Sequence, residues 1–153
     1  MDEPYLALQV LMMPRDTNGV LTTRGDAANP QLVFSQLAIF GGVILGYIDQ
    51  AGAIGGRREI IRLGGELPLL LTVAFNRVEF KAAVLVGDVV RFLTRPVRIG
   101  RTSITMEIHV EAERGDKVFQ VTEAEVVYVS VDTTSAVRRP KPLLPSAPPG
   151  KEG

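Results

Sequence analysis

Polar and apolar residues alternate most regularly between Thr102 and Glu113. Ile104, Met106, Ile108 and Val110 fall on one side of an extended chain, and Ser103, Thr105, Glu107, His109 and Glu111 on the other. A period of two over this length predicts a strand with one buried and one wet face. Leu69 to Phe80, Val86 to Val97 and Val118 to Val131 have the same texture, and the breaks between these runs carry Gly87-Asp88, Gly100-Arg101 and Gly115-Asp116. Such turns predict an antiparallel meander. Alternation weakens around Glu123-Ala124-Glu125, where a bulge or a change of cover along the strand is expected. Tyr5 to Met13 reads as one more strand, closed by Pro14 and the turn-forming run Asp16-Thr17-Asn18-Gly19.

Phe40 to Ile61 has a different pattern. Val43, Ile44, Leu45, Tyr47, Ile48, Ala51 and Ile54 surround a helix rather than forming one stripe, as in a helix enclosed by other elements. The same stretch holds Gly41, Gly42, Gly46, Gly52, Gly55 and Gly56, each costing about 1 kcal/mol against alanine in a helix interior. Two physical reasons are available: close approach of another backbone, or helix-start N–H groups that a side chain would cover. Ahead of this helix, Asn29-Pro30 reads as a helix start, with Asn as cap and Pro in the first helical position.

A strand, a long apolar helix and four antiparallel strands is the element order of an α+β domain in which a curved sheet wraps a central helix. One sheet covers only part of an all-round apolar helix, so a homodimer with paired sheets and adjacent helices is expected. Five of the ten prolines lie between Thr133 and Gly153, with few large apolar residues, which predicts a disordered tail after a domain spanning 1–132.

Composition narrows the possible functions. The 153 residues are 46% hydrophobic and 22% charged, with 17 basic residues against 17 acidic ones. A net charge of zero argues against partners gripped through a general basic field, so neither nucleic acid nor an anionic membrane is expected. The absence of cysteine excludes disulfides, thiolate zinc sites and cysteine nucleophiles, and a single histidine, His109, leaves no His-rich metal cluster. No metal or separate cofactor is expected. The start Met1-Asp2-Glu3-Pro4 lacks the basic and apolar character of a secretory signal, so a cytoplasmic protein is expected. Leu32 to Ile48 is apolar but only 17 residues long and contains three glycines, short of the roughly 20 residues needed to span a bilayer.

Asp49 is the only charged residue between Gln31 and Gly56 and lies mid-helix, far from a stabilising N-terminus. Either it reaches solvent or an arginine such as Arg57 or Arg58, or it is held in a cleft as a general base or nucleophile. Gly42 stands seven residues earlier on roughly the same face. If the helix begins there, its free N–H groups and dipole would polarise a carbonyl on which Asp49 acts, although a packing role for the glycines is equally open.

Four ordered motifs resemble a known family: Met13-Pro14-Arg15-Asp16-Thr17-Asn18, then Gly41-Gly42 with Asp49 following, then Val86-Gly87-Asp88-Val89-Val90, then Ile99-Gly100-Arg101-Thr102-Ser103-Ile104. Together they look like the bacterial acyl-CoA thioesterases of the YciA type, over about Leu6 to Val131. The resemblance implies a hotdog fold, a dimer usually assembled into a trimer of dimers, and hydrolysis of an acyl-CoA substrate to fatty acid and coenzyme A. By position, Asp49 matches the family's catalytic aspartate, Gly42 the helix-start oxyanion contact and Asn18 the asparagine lining the cleft. Gly100, Arg101, Thr102 and Ser103 match its glycine-arginine motif, expected near the CoA moiety across the subunit interface. Arg101 also suits a phosphate chemically, because a planar guanidinium binds its oxygens in pairs.

Two departures from the family stand out. Gly19 to Phe40 supplies 22 residues where the family has a handful. Extended back to Pro30, the helix would consume the N–H groups of Gly41 and Gly42, so a separate short helix is expected, with a break close to Ile39 to Gly42. Phe34, Leu37 and Phe40 would then form a lid over an acyl tunnel or pack against the sheet. The second departure, Lys81-Ala82-Ala83 in place of a lysine and proline, concerns a strand edge rather than chemistry. A hotdog hydratase would need a histidine near the helix, and His109 lies on the polar face of a distant strand. The rival reading is a non-catalytic acyl-CoA binding or sensing module of the same fold.

Overall fold

The computed structural model describes residues 3–19, 21–34, 38–134 and 136–146, with no side-chain detail for 21–23 and 32–34. Its elements run β1 (Tyr5–Leu11), a 3-10 turn (Pro14–Asp16), β2 (Leu21–Arg24), β3 (Gln31–Phe34), α1 (Gly41–Arg62), β4 (Leu69–Phe80), β5 (Val89–Ile99), β6 (Ser103–Arg114) and β7 (Lys117–Val131). Five strands form one antiparallel sheet in the order β1-β5-β6-β7-β4, against which α1 packs. This is an α+β hotdog arrangement.

The alternation in β6 produces the expected division. Ile104, Met106, Ile108 and Val110 are buried toward α1, while their neighbours are half-exposed. Only β5, β6 and β7 form a meander; β4 lies beyond β7 instead of beside β5, and the 81–88 connection returns across the sheet. The bulge in β7 falls at Val121, where Val110 pairs with Thr122 but Glu111 pairs with Gln120. Both Val121 and Thr122 are buried, so the break in alternation lies just before Glu123.

In α1 the buried positions are Ile44, Ile48, Ala51, Gly52, Gly55, Gly56, Glu59 and Ile60. They form a single stripe at helical spacing, because the sheet covers one side of the helix. The other apolar residues, Val43, Leu45, Tyr47 and Ile54, are half-covered in one protomer. A Cβ on Gly52 would collide with the Tyr128 hydroxyl and one on Gly55 with Thr94 Oγ1, so these two glycines let the helix lie close on the sheet.

Among the described residues, the short helix expected after Pro30 is absent. β2 and β3 instead pair as an antiparallel hairpin, with Arg24 opposite Gln31. Gly25 takes a φ of +100°, and Asp26 Oδ1 accepts from the N–H groups of Ala28 and Asn29 at 3.0 and 2.9 Å. Asn29-Pro30 thus closes a turn instead of opening a helix, since the Asn29 N–H is held by Asp26 and the flanking β-branched residues favour strand.

The chain beyond Asp132 was expected to be a solvated tail, but its described part is fastened to the sheet. Lys141 N–H donates to Ser130 O at 2.8 Å, Leu143 N–H donates to Arg101 O at 2.9 Å, and Leu143 is 4% exposed within the core cluster. Lys141 also approaches Glu66 at 3.4 Å. Residues 147–153 lie outside the described residues.

Candidate active site

α1 begins at Gly41, with Phe40 in an extended conformation as its cap and no side chain bonded to its first turn. The break expected near Ile39 to Gly42 is present. The segment before it is pinned from two sides: Phe40 N–H donates to Asp16 O at 3.0 Å, and Ile39 N–H to Val84 O at 2.8 Å. Among the described residues, the N–H groups of Gly41 and Gly42 have no acceptor. A Cβ on Gly42 would meet nothing within 4 Å, so packing inside the protomer does not require a glycine there. The start of the helix presents bare donors and the positive end of its dipole.

Asn18 lies beside this terminus. Its N–H donates to Ala38 O at 2.9 Å, and Thr17 forms a bridge with Ile39. The Asn18 side-chain oxygen is buried and has no hydrogen-bond partner among the described residues. A buried acceptor left unpaired costs about 1–3 kcal/mol, so an outside donor at this position has an energetic rationale.

Asp49 is half-buried on the flank of the α1 stripe. Thr72 Oγ1 donates to Asp49 Oδ1 at 2.5 Å, and the Tyr128 hydroxyl donates to the Asp49 main-chain carbonyl at 2.7 Å. Thr72 and Tyr128 are register partners on β4 and β7. Burial, followed by the Asp49 charge, pushes the Tyr128 phenol far above its usual range, so it remains a neutral donor. No ion pair joins Asp49 to Arg57 or Arg58 among the described residues, and Arg58 lies over the Tyr5 ring at 4.2 Å. Sequence reasoning missed Thr72 and Tyr128, because it does not show which strand faces mid-helix.

The Gly100–Ser103 motif forms the β5–β6 turn, with Gly100 N–H donating to Ser103 O at 2.7 Å and Arg101 exposed. Ile104, next to the turn, packs at Gly56, roughly 21 Å along α1 from Gly42 at 1.5 Å per residue. One protomer therefore does not bring Arg101 to the helix start. Phe40 is 52% exposed, while Leu37 and the side chain of Phe34 lie outside the described residues. His109 sits on the outer sheet face, 3.3 Å from Glu123, away from α1.

Three comparisons bear on this geometry. Residues 38–119 match the model of the thioesterase superfamily. The chain is 37% identical over 145 residues to an uncharacterized acyl-CoA thioester hydrolase of Buchnera aphidicola, covering 92% of this chain and 89% of that protein. It is 34% identical over 143 residues to the acyl-CoA thioester hydrolase YciA of Salmonella typhimurium, covering 90% and 89%. Among solved structures it is similar to a hexameric thioesterase from Yersinia pestis, with a TM-score of 0.72 at 30% identity over 96% of this chain and 100% of that one. A hexameric hotdog fold thioesterase of Campylobacter jejuni gives a TM-score of 0.69 at 32% identity, over 90% and 88%.

Proposed function

The chain belongs to the thioesterase superfamily, among its acyl-CoA thioester hydrolases, and from that premise we propose that it hydrolyses acyl-CoA at the start of α1, with Asp49, Gly42 and Asn18 around the reacting carbonyl. The amides of Gly41 and Gly42, unbonded among the described residues and eight and seven residues ahead of Asp49, carry this reading.

Gly42 and Asp49 are roughly 10 Å apart along the helix axis. Side chains on a helix lean toward its N-terminus, which reduces the gap to roughly 7 Å. A carbonyl group with contacts of about 3 Å at each end fills it. The amides then face the carbonyl oxygen and the carboxylate faces the carbon. As negative charge moves onto the oxygen, fixed donors at a helix terminus stabilise it without reorganisation.

Two routes share this arrangement. As a base, Asp49 takes a proton from water whose oxygen attacks the carbon. The tetrahedral oxyanion collapses, the C–S bond breaks, and CoA leaves as the thiolate that receives the proton. As a nucleophile, Asp49 itself forms the new C–O bond, CoA leaves, and water hydrolyses the resulting anhydride. Thr72 holds the carboxylate in either case, and the unpaired Asn18 oxygen is an acceptor for the attacking water. The Gly100–Ser103 turn, with Arg101, takes the CoA phosphates of a neighbouring subunit's substrate, in a homodimer assembled further to a hexamer.

Thiol release from a panel of acyl-CoAs tests the reading. Wild type should turn over, and Asp49→Asn should lower kcat by about 10²–10⁴-fold. Binding of CoA esters with no thiol release at any chain length would instead identify a binding or sensing module. An Asp49→Asn variant as fast as wild type would remove Asp49 from the chemistry.

A further inference from the structure

Outside the site described above, Asp88 is an unusual buried charge. It is 1% exposed and accepts three hydrogen bonds: from Arg114 Nε at 2.8 Å, from Arg114 Nη2 at 2.7 Å and from the Leu85 N–H at 2.9 Å. Arg114 also reaches Ala83 O at 3.3 Å and lies over the Phe119 ring at 4.9 Å. Burying a carboxylate is a costly way to hold a turn that the Asp88 N–H to Leu85 O bond and a glycine at φ +89° already close.

The backbone bonds around this turn give the pair a purpose. On one side, Val84 O accepts from Ile39 N–H at 2.8 Å and Leu85 bridges Ala38, so the turn carries the strand that enters α1. On the other side, Met12 N–H donates to Asp88 O and Gly87 N–H to Met12 O, each at 2.9 Å. Met12 leads through the Pro14–Asp16 turn to Asp16 O, which accepts from Phe40 N–H, and to Asn18, whose N–H donates to Ala38 O. The bonds make a closed ring: Asp88, Leu85 and Val84, Ala38 and Ile39, Asn18 and Asp16, Met12, and back to Asp88. Both candidate donors and the candidate acceptor of the reaction hang from this ring.

We propose that Asp88, held by Arg114, is a positioning residue for thioester hydrolysis: it fixes the amides of Gly41 and Gly42 and the side chain of Asn18 relative to one another while touching no substrate. The proposal rests on the hydrolase reading above. Preorganised donors act only if they stay where the oxyanion forms, and a displacement of 1 Å costs about a hundredfold in rate. Loosening the ring should therefore lower kcat and leave KM nearly unchanged, because the missing interaction belongs to the transition state.

Asp88→Asn keeps the shape but loses the charge and one acceptor of the Arg114 fork. Its kcat should fall about tenfold to a hundredfold, with KM within about threefold. Amide hydrogen exchange should quicken at residues 38–42 and be unchanged at Ile104–Val110. Arg114→Met should reproduce both effects and provides the reading if Asp88→Asn does not fold. Arg114→Lys, which restores the charge without the fork, should be intermediate. Unchanged kcat in the variants of an active wild type overturns the proposal alone. So does exchange that quickens equally in β6, the mark of a purely structural role. A wild type that releases no thiol removes the hydrolase reading, and this proposal with it.

Discussion

The glycines of α1 have two separate causes. Gly52 and Gly55 lie under Tyr128 and Thr94, where a Cβ would have no room, while Gly42 and Gly46 face open space and Gly41 meets only the Phe80 ring at 3.7 Å. Composition made both causes available but did not assign them, since the assignment depends on which strands cross the helix and where. Gly52→Ala separates them experimentally. Helix propensity alone favours alanine by about 1 kcal/mol. The added methyl must displace the Tyr128 hydroxyl from the Asp49 carbonyl, and overpacking of this kind costs about 1–3 kcal/mol. Urea unfolding should therefore show Gly52→Ala destabilised; a stabilised variant would mean that close approach is not what the glycine provides. Asp49 stands out in the sequence as a candidate because a lone carboxylate in an apolar run demands explanation, whereas Thr72 and Asp88 carry no such local signal. Their partners come from segments 23 and 26 residues away in the chain.

Elements were legible where one local pattern dominates. β6 has an uninterrupted period of two, and the chain break before α1 coincides with paired glycines. The hairpin of β2 and β3 was misread because Asn and Pro serve equally well to start a helix and to close a turn. The choice was made by Asp26, whose carboxylate takes the N–H groups of Ala28 and Asn29. The place of β4 beyond β7 was not legible either, since Gly87-Asp88 looks like a hairpin turn whichever neighbour its strand chooses. The C-terminal segment was misjudged for a related reason: its prolines exclude helix and sheet interior but not an extended strap across the end of the sheet. Leu143 is buried, at 4% exposure, and its N–H donates to the Arg101 carbonyl. Leu143→Ala should lower the unfolding free energy by about 1–3 kcal/mol and quicken exchange at the Gly100–Ser103 turn. Truncation after Asp132 should do at least as much. An unchanged unfolding midpoint in both variants would show that the strap contributes nothing.

At the scale of the molecule, one protomer leaves its apolar surface incompletely covered. β4 is an edge strand, and Leu69, Val73, Phe75 and Phe80 along it are each more than 40% exposed. Exposed apolar residues along an edge strand of this length make a pairing surface that a second chain can cover. The half-covered side of α1, with Leu45, Tyr47 and Ile54, is a second surface left open by the sheet. A second copy pairing through β4 and laying its helix alongside would bury both. Thr72, whose hydroxyl donates to Asp49, lies on this same strand, so a dimer through β4 would set the proposed site beside its interface. The same proposed dimer would let the Gly100–Ser103 turn, distant from the helix start within one protomer, reach the site of the partner. Val73→Lys places a charge at the edge without touching Asp49 or the ring at Asp88. If β4 is the interface, sedimentation should show the assembly broken to smaller species, and kcat/KM for acyl-CoA should fall with dissociation and recover as protein concentration rises. A Val73→Lys protein of unchanged mass and unchanged kcat/KM would place the interface elsewhere and leave the exposed edge of β4 without a role.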